Sequence, residues 1–318
     1  MIMAKRMNHH VTVVVRAIHD EPGGVRRLTL ADPDNWPLPG FTPGAHIDVH
    51  LPNGHVRQYS LTNDPRDNTR YDIAVALEKD GRGGSKSIHT DIRVGDLLAV
   101  SLPRNLFPVA TSGEHILIAG GIGVTPFLSM LSHFEQQHQN YELHYCTRHA
   151  DQTPFSTELA ARVATNTVHH YFTRDPANSK PDLKSIVGNW APDRHVYCCG
   201  PNRMVDAVLE LSNSWPADHV HVERFGAADA QDAAYTVTLG RSGLQVPVPS
   251  GQSMLSALRN AGVDMPSSCE AGVCLECKTR YTSGDVLHRD LVMPAADRKQ
   301  FLTPCVSGCQ GGSIILDL

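Results

Sequence analysis

The chain has 318 residues, of which 41% are hydrophobic and 19% charged, and its formal net charge is −5. This length suits two or three domains of ordinary globular composition, and the negative charge argues against a nucleic-acid binder, which needs a basic surface. Because no apolar run approaches ~18 residues and none follows the basic pair near the start, we expect no membrane span, no signal peptide and a cytoplasmic protein.

Residues 1–110 are predicted to form an antiparallel β-barrel. Short segments with alternating or β-branched patterns are separated by Pro-Gly, Asn-Gly and Gly-Gly turns, which is typical of a small barrel or sandwich. The predicted strands are Val11–Ala17, Val25–Leu30, His46–His50, Arg57–Leu61, Tyr71–Leu77 and Leu97–Ser101.

Residues 111–226 are predicted to form an α/β domain with a parallel sheet, because strands and helices alternate at the spacing of βαβ units. The predicted strands are His115–Ala119, Glu142–Cys146, Thr167–Phe172 and His195–Cys199, and the predicted helices are Pro126–Gln137, Ser156–Ala164 and Asn202–Ser212.

Residues 227–234 are small and acidic and predict a linker. After it, residues 235–318 predict a small α+β domain. Its predicted elements are strands Tyr235–Leu239, Gln245–Val248, Lys278–Thr282 and Ile314–Leu316 and the helix Met254–Ala261. The fold class is therefore multidomain.

The last domain contains a cysteine pattern that predicts a metal centre. Cys269, Cys274 and Cys277 form C-x4-C-x2-C, and Cys305 follows after 27 residues. This spacing resembles that of plant-type ferredoxins, in which four thiolates hold a [2Fe–2S] cluster. A zinc site is the first alternative, although zinc usually takes C-x2-C pairs; buried structural cysteines are the second. Cys309 has no place in the motif and is expected not to be a ligand.

Two strand–glycine–helix junctions predict a dinucleotide crevice. The first predicted strand of the α/β domain runs into a turn that contains Gly120, Gly121, Gly123, Thr125 and Pro126. Glycines allow a pyrophosphate to approach the backbone, and the following helix begins with proline and free N–H groups. The second junction ends in Cys199, Gly200 and Pro201, and two such turns at strand ends define a crevice. Packing of a strand end is the alternative explanation.

Together these junctions resemble the GGxGxTP and CGP signatures of the ferredoxin–NADP reductase superfamily. The resemblance implies that the residues matching Cys199 and Gly200 lie near the nicotinamide. Its β-barrel signature for flavin is matched by Arg57, Tyr59, Ser60, Leu61 and Thr62, which implies that Arg57 pairs with a phosphate, Tyr59 packs along the flavin and Ser60 hydrogen-bonds its ring.

A glycine-rich basic segment with Gly83, Gly84 and Ser85 suits an anion bound through backbone N–H groups, or a solvated hairpin turn. Phe225 matches the aromatic residue that ends the reductase module in this superfamily. The resemblance implies that it covers the flavin, and a packing anchor before the linker is the alternative.

The domain order and the segment 101–108 resemble the phthalate dioxygenase reductase and vanillate O-demethylase reductase family over essentially the whole chain. The resemblance implies a β-grasp fold for the ferredoxin domain, FMN as the flavin, and a terminal Rieske-type oxygenase protein as the partner. NADH is the expected electron donor, although Arg148 follows a predicted strand at a position where it could contact the 2′-phosphate of NADPH.

The expected mechanism needs no general acid and no nucleophile. A nicotinamide donates two electrons as a hydride, a [2Fe–2S] cluster accepts one, and a flavin can stand between them. The histidines need no catalytic explanation, and His149, His169 and His170 are expected at the surface. The alternatives are a stand-alone NAD(P)H reductase of small acceptors and a non-enzymatic electron carrier or cluster sensor, which would not need the turn at 120–126.

Overall fold

The computed structural model of the protein describes residues 10–79, 81, 83–165, 167–175, 180–225, 232–267 and 270–318. The chain divides into two compact units, Met1–Glu223 and Arg224–Leu318. The predicted boundary at 110/111 and the linker at 227–234 stay predictions, and residues 227–231 of that linker lie outside the described residues.

The first unit begins with a six-stranded antiparallel sheet. Its elements are β1 (His10–Glu21), β2 (Val25–Ala31), β3 (His46–His50), β4 (Val56–Ser60), β5 (Tyr71–Ala76), helix α1 (Gly84–Thr90) and β6 (Leu97–Ser101). The strand order is β4-β3-β6-β1-β2-β5. Alternate side chains form an apolar core that includes Leu28, Ile47, Leu61 and Ile73, and a hydrogen bond from Thr62 N to the Asp72 carbonyl (2.9 Å) links the two outer strands.

The second sheet of this unit has five strands. Its elements are β7 (Glu114–Gly120), α2 (Thr125–Gln137), β8 (Tyr141–Thr147), α3 (Ser156–Ala164), β9 (Val168–Phe172), α4 (Leu183–Val187), β10 (Arg194–Gly200), α5 (Asn202–Leu211) and β11 (Val220–Arg224). The order is β11-β10-β7-β8-β9, and the pairs β10/β7, β7/β8 and β8/β9 are parallel. Buried side chains form clusters on both faces of this sheet.

The second unit is an α+β domain. Its elements are β12 (Tyr235–Leu239), β13 (Gln245–Val248), α6 (Met254–Asn260), β14 (Thr279–Ser283), β15 (Val286–Leu287), β16 (Phe301–Leu302), β17 (Gly308–Cys309) and β18 (Ser313–Leu316). Five strands pair in the order β13-β12-β18-β14-β16, and β15 pairs with β17. The core contains Val237, Leu258 and Ile314, and also the thiols of Cys277 and Cys305.

The predicted elements are all present, and the structure adds α1, α4, β11 and three two-residue strands. His149, His169 and His170, which were expected at the surface, are only partly exposed. For two of them the reason is a neighbouring ring, since His169 stacks on His144 and His170 packs edge-on against Tyr145. None of the helices in the described ranges combines the length and the hydropathy that a membrane span requires.

Candidate functional site

The predicted flavin strand is the outer strand β4 of the antiparallel sheet. On the neighbouring strand β3, Ile47 pairs with Tyr59 and His46 pairs with Ser60. Leu61 is fully buried in the core. Burial raises the pKa of Tyr59 well above its ordinary value, so its hydroxyl remains neutral. The Thr62 hydroxyl donates to the Asp72 carbonyl (3.1 Å), which fixes the end of the strand.

Arg57 lies against the start of helix α1, so the two predicted flavin segments meet. Gly83 precedes the helix in the left-handed conformation, with φ 85°. A Cβ on Gly84 would lie 2.8 Å from both Cγ and Nε of Arg57. The first helical bond runs from Ser87 N to the Gly83 carbonyl (3.0 Å), so the N–H groups of residues 84–86 have no acceptor inside the helix. An arginine and a row of amides therefore share one corner of the unit.

Ser85 holds this corner in place, since its hydroxyl accepts a hydrogen bond from Glu78 N (3.0 Å). Arg82, in the middle of the basic segment, lies outside the described residues. The hairpin-turn alternative for this segment is wrong, because residues 84–90 are helical.

A buried histidine beside the flavin strand was not found from the sequence. His46 is 3% exposed and its Nε2 lies 3.1 Å from Gln58 Nε2. Burial lowers the pKa of His46 to about 4, which keeps the ring neutral. Its Nδ1 is buried and has no hydrogen-bond partner within the described part of the chain. A ligand that supplies a polar atom here would satisfy that nitrogen.

An open cavity of about 320 Å³ adjoins the same region, next to Ala45, whose carbonyl accepts from Leu61 N (2.9 Å). Its lining residues are Gly40, Phe41, Thr42, Ala45, Pro103, Arg104 and Asn105. The segment 101–108, which carried part of the family resemblance, supplies three of them. No binding role was assigned to these residues from the sequence.

The two strand–glycine–helix junctions meet at the carboxyl ends of β7 and β10. A Cβ on Gly123 would collide with the backbone carbonyl of Cys199, and one on Gly200 would lie 3.0 Å from Gly120 N. A Cβ on Gly120 would lie 2.6 Å from Cδ of Pro201. Three of the predicted crevice glycines are therefore required by the packing of one turn against the other, whether or not a pyrophosphate also approaches them.

Gly121 is different, because it has φ 57° and a Cβ there would meet no described atom within 4 Å. The turn continues into helix α2, where the Thr125 hydroxyl donates to the Ile122 carbonyl (2.9 Å) and Pro126 occupies the first turn. Cys199 is fully buried, and this burial raises the pKa of its thiol well above the ordinary value. The backbone of Cys199, and not its buried thiol, therefore faces the crevice.

The predicted cluster loop brings cysteine thiols together in the second unit. The Sγ atoms of Cys277 and Cys305 lie 3.3 Å apart, and both residues are at least 98% buried. Cys274 is more exposed, and its Sγ accepts a hydrogen bond from Glu276 N (3.4 Å). Cys269 lies outside the described residues. Three of the four predicted ligands are thus seen, and none of the described cysteines forms a disulfide.

The backbone of this loop adopts positive φ angles, which residues other than glycine rarely adopt. Glu270 and Leu275 have φ of 49° and 57°, and Gly272 has φ 74°. Arg259 donates to the Glu270 carboxylate (2.7 Å), which anchors the loop to helix α6. Such strain is typical of a loop that wraps a ligand, and N–H groups near sulfur stabilise a reduced cluster.

Cys309 makes a separate interaction, since its thiol donates to the Gly311 carbonyl (3.0 Å) and it lies on β17. Phe225 is 39% exposed and belongs to the second unit.

Comparison with known proteins gives matches over almost the whole chain. Residues 237–310 match the 2Fe-2S iron-sulfur cluster binding domain family, and residues 117–210 match the oxidoreductase NAD-binding domain family. The chain is 42% identical over 303 residues to the phthalate 4,5-dioxygenase oxygenase reductase subunit of Pseudomonas putida, covering 93% of both proteins. It is 36% identical to a vanillate O-demethylase oxidoreductase of Pseudomonas sp. strain HR199, covering 97% of this chain and 100% of the relative.

A solved structure of phthalate dioxygenase reductase superimposes with a TM-score of 0.78 at 38% identity, covering 97% of this chain and 98% of that one. These matches confirm the predicted fold class and the resemblance on which it rested. They also confirm that the cysteine loop belongs to a [2Fe–2S] domain and not to a zinc site. They assign no individual residue to a cofactor, so the site residues stay predictions.

Proposed function

The chain belongs to the phthalate dioxygenase reductase family, and from that membership we propose that it is the reductase component of a Rieske-type oxygenase system. The protein is an NADH-dependent oxidoreductase with FMN and a [2Fe–2S] cluster, and it transfers electrons to an oxygenase.

The observation that carries the proposal is that one chain contains both a glycine crevice and a cysteine loop. The crevice, where Gly123 meets Cys199, suits a dinucleotide, and the loop, where Cys277 and Cys305 meet, suits an iron–sulfur cluster. When bound, FMN and the cluster convert a two-electron hydride into single-electron steps. A carrier or sensor would not need the crevice.

The residues near β4 fit FMN. We propose that Arg57 and the N–H groups of residues 84–86 hold its phosphate, because a guanidinium beside free amides is a strong dianion site. Tyr59, Ser60 and Thr62 would line the ring, and Leu61 supports them from the core. The unpartnered His46 nitrogen fits a polar ligand in the same region.

The residues at the ends of β7 and β10 fit a nicotinamide dinucleotide. We propose that Gly121, whose surroundings are open, receives the pyrophosphate at the start of the helical segment that leads into α2. The backbones of Cys199, Gly200 and Pro201 would form the opposite wall. The task of these residues is to orient the dinucleotide, and no side chain here is required to move a proton.

The cysteine loop fits the cluster. We propose that Cys269, Cys274, Cys277 and Cys305 are the four ligands, and that Phe225 covers the flavin, as the family resemblance implies. Thiolate ligands suit a reducing compartment, which is the basis for proposing a cytoplasmic location.

Reconstitution with an oxygenase tests the proposal. The full-length reductase and a purified Rieske oxygenase encoded beside its gene are mixed with NADH and the oxygenase substrate. We expect oxygen uptake that requires both proteins and the substrate, and a kcat/KM for NADH well above that for NADPH. If the reductase reduces quinones rapidly but leaves the oxygenase oxidised, the protein is a reductase of small acceptors.

A further inference from the structure

Three side chains outside the proposed cofactor sites converge on one face of the parallel sheet. His144 on β8 is the register partner of His169 on β9, and Glu142 precedes His144 by two residues. Residues two apart on a strand share a face, so all three side chains project the same way. Strand β9 is an edge of the sheet, which leaves the group accessible.

The distances within this group are longer than hydrogen bonds. Glu142 Oε2 lies 3.5 Å from His144 Nε2 and 4.0 Å from His169 Nε2, whereas N–H···O bonds are about 2.7–3.2 Å. One ligand atom from each residue lies within 4.8 Å of both others. Bonds of about 2.0–2.2 Å from one tetrahedral metal ion would place such atoms roughly 3.3–3.6 Å apart, so small side-chain rotations suffice.

Neighbouring groups hold the two rings side by side. His144 is 6% exposed, and its Nδ1 lies 3.0 Å from the Tyr171 hydroxyl. A histidine that binds a metal usually has its other nitrogen held by a second group, and Tyr171 occupies that position. The His169 ring stacks on His144 with an interplanar angle of 18°, which keeps both rings beside the carboxylate.

Part of this three-residue group is exposed to solvent, which leaves one side of it open. The side chain of Glu142 is 51% exposed, that of His169 27% and that of His144 8%. A further position could be filled by water. Two imidazoles and a carboxylate are donors that suit borderline divalent ions such as Zn²⁺.

We propose that Glu142, His144 and His169 form a binding site for one divalent transition-metal ion of the Zn²⁺ class, with water as the remaining ligand. The site is separate from the dinucleotide crevice: Glu142 is near the start of β8, while Cys146, near its end, pairs with Gly120. Four residues of strand span about 13 Å. A bound ion would fasten the edge strand β9 to β8, so it should raise the Tm and leave NADH oxidation unchanged.

Zinc titration of the full-length holoprotein, loaded with FMN and the cluster, tests this site. Binding is measured by competition with a chromophoric chelator, and the ligands are identified by X-ray absorption at the zinc edge. We expect one Zn²⁺ per chain, bound through two imidazoles and oxygen. Glu142→Gln and His169→Gln should each weaken binding at least tenfold, and Tyr171→Phe should weaken it by roughly tenfold or more through the His144 ring.

Two control variants separate this site from others. His170→Gln changes the same strand on its opposite face, and His195→Gln changes a second histidine group, in which His195 Nδ1 lies 3.2 Å from His221 Nε2. Both should bind Zn²⁺ like the parent protein, and all variants should retain their flavin and cluster absorbance. Sulfur ligands to zinc, unchanged affinity in Glu142→Gln and His169→Gln, or a loss only in His195→Gln would overturn the proposal.

Discussion

At the scale of single residues, the chemistry proposed for this protein depends on a few charged or thiol side chains held by their neighbours. Arg57 has its side chain packed against Gly84, and Cys274 accepts a backbone hydrogen bond. Neither residue needs to act as an acid or a base. Their substitution should therefore change cofactor content before it changes anything else.

Arg57→Ala should weaken FMN binding by about 10- to 150-fold, because a charge-assisted hydrogen bond contributes roughly 1.5–3 kcal/mol. The measurement is fluorescence titration of the apoprotein with FMN. Arg66→Ala is the matched control, since Arg66 is 70% exposed and pairs with Asp64. Equal FMN affinity in the parent and Arg57→Ala would remove Arg57 from the phosphate site.

Cys274→Ser should abolish the visible spectrum and the iron content of the cluster, because a serine hydroxyl is a poor substitute for a soft thiolate. Cys309→Ser should retain both, since Cys309 has no place in the cysteine motif and its thiol lies 3.0 Å from the Gly311 carbonyl oxygen. Iron analysis of the two purified variants makes the comparison. Iron lost from Cys309→Ser and kept in Cys274→Ser would reverse the ligand assignment.

At the scale of elements, the site is built where neighbouring segments approach closely. The turns after β7 and β10 interlock through glycines, and β4 meets the start of α1 through Gly84. Backbone contacts determine the shape of each junction. A glycine-to-alanine substitution, which adds one methyl group, therefore tests it.

Gly123→Ala should disturb the crevice, because the new Cβ would collide with the Cys199 carbonyl. Overpacking of this kind costs roughly 1–3 kcal/mol, so we expect a lower Tm and a higher KM for NADH. Gly40→Ala is the control for the Tm, since its Cβ would meet no described atom within 4 Å. A Gly123→Ala protein with the parent Tm and KM would show that this contact is unimportant.

Much of the fold could be predicted because strands and longer helices carry strong patterns. Helix α2 was predicted over 126–137 and spans Thr125–Gln137. Helix α1 was missed, since its sequence GSKSIHT contains one large apolar residue, Ile88, whose burial in the core supports the helix. Cysteine spacing predicted the cluster domain, but the role of Gly120, Gly123 and Gly200 in packing depends on contacts between distant segments.

At the scale of the whole molecule, the two compact units separate the dinucleotide crevice from the cysteine loop. The first unit, Met1–Glu223, contains the proposed dinucleotide residues and the proposed FMN residues other than Phe225, and the second, Arg224–Leu318, contains the cysteine loop. Each unit has its own apolar core. We therefore predict that electron entry and electron exit can be separated by cutting the chain between the units.

A chain ending at Gly226 should be a yellow flavoprotein that oxidises NADH with ferricyanide, which can take electrons directly from flavin. The piece from Tyr235 to Leu318 should bind a [2Fe–2S] cluster and no flavin. Absorbance spectra and flavin and iron analyses of the two pieces provide the measurement. A first piece without bound flavin would contradict the division of the sites.

The rate of oxygenase turnover with the full-length reductase and with the chain ending at Gly226 tests the electron path most directly. Both proteins are compared at equal flavin concentration with NADH, the oxygenase and its substrate. We expect turnover with the full-length protein and none above background with the truncated one, because the single-electron outlet has been removed. Turnover at the full-length rate by the truncated protein would show that the cluster is not the outlet.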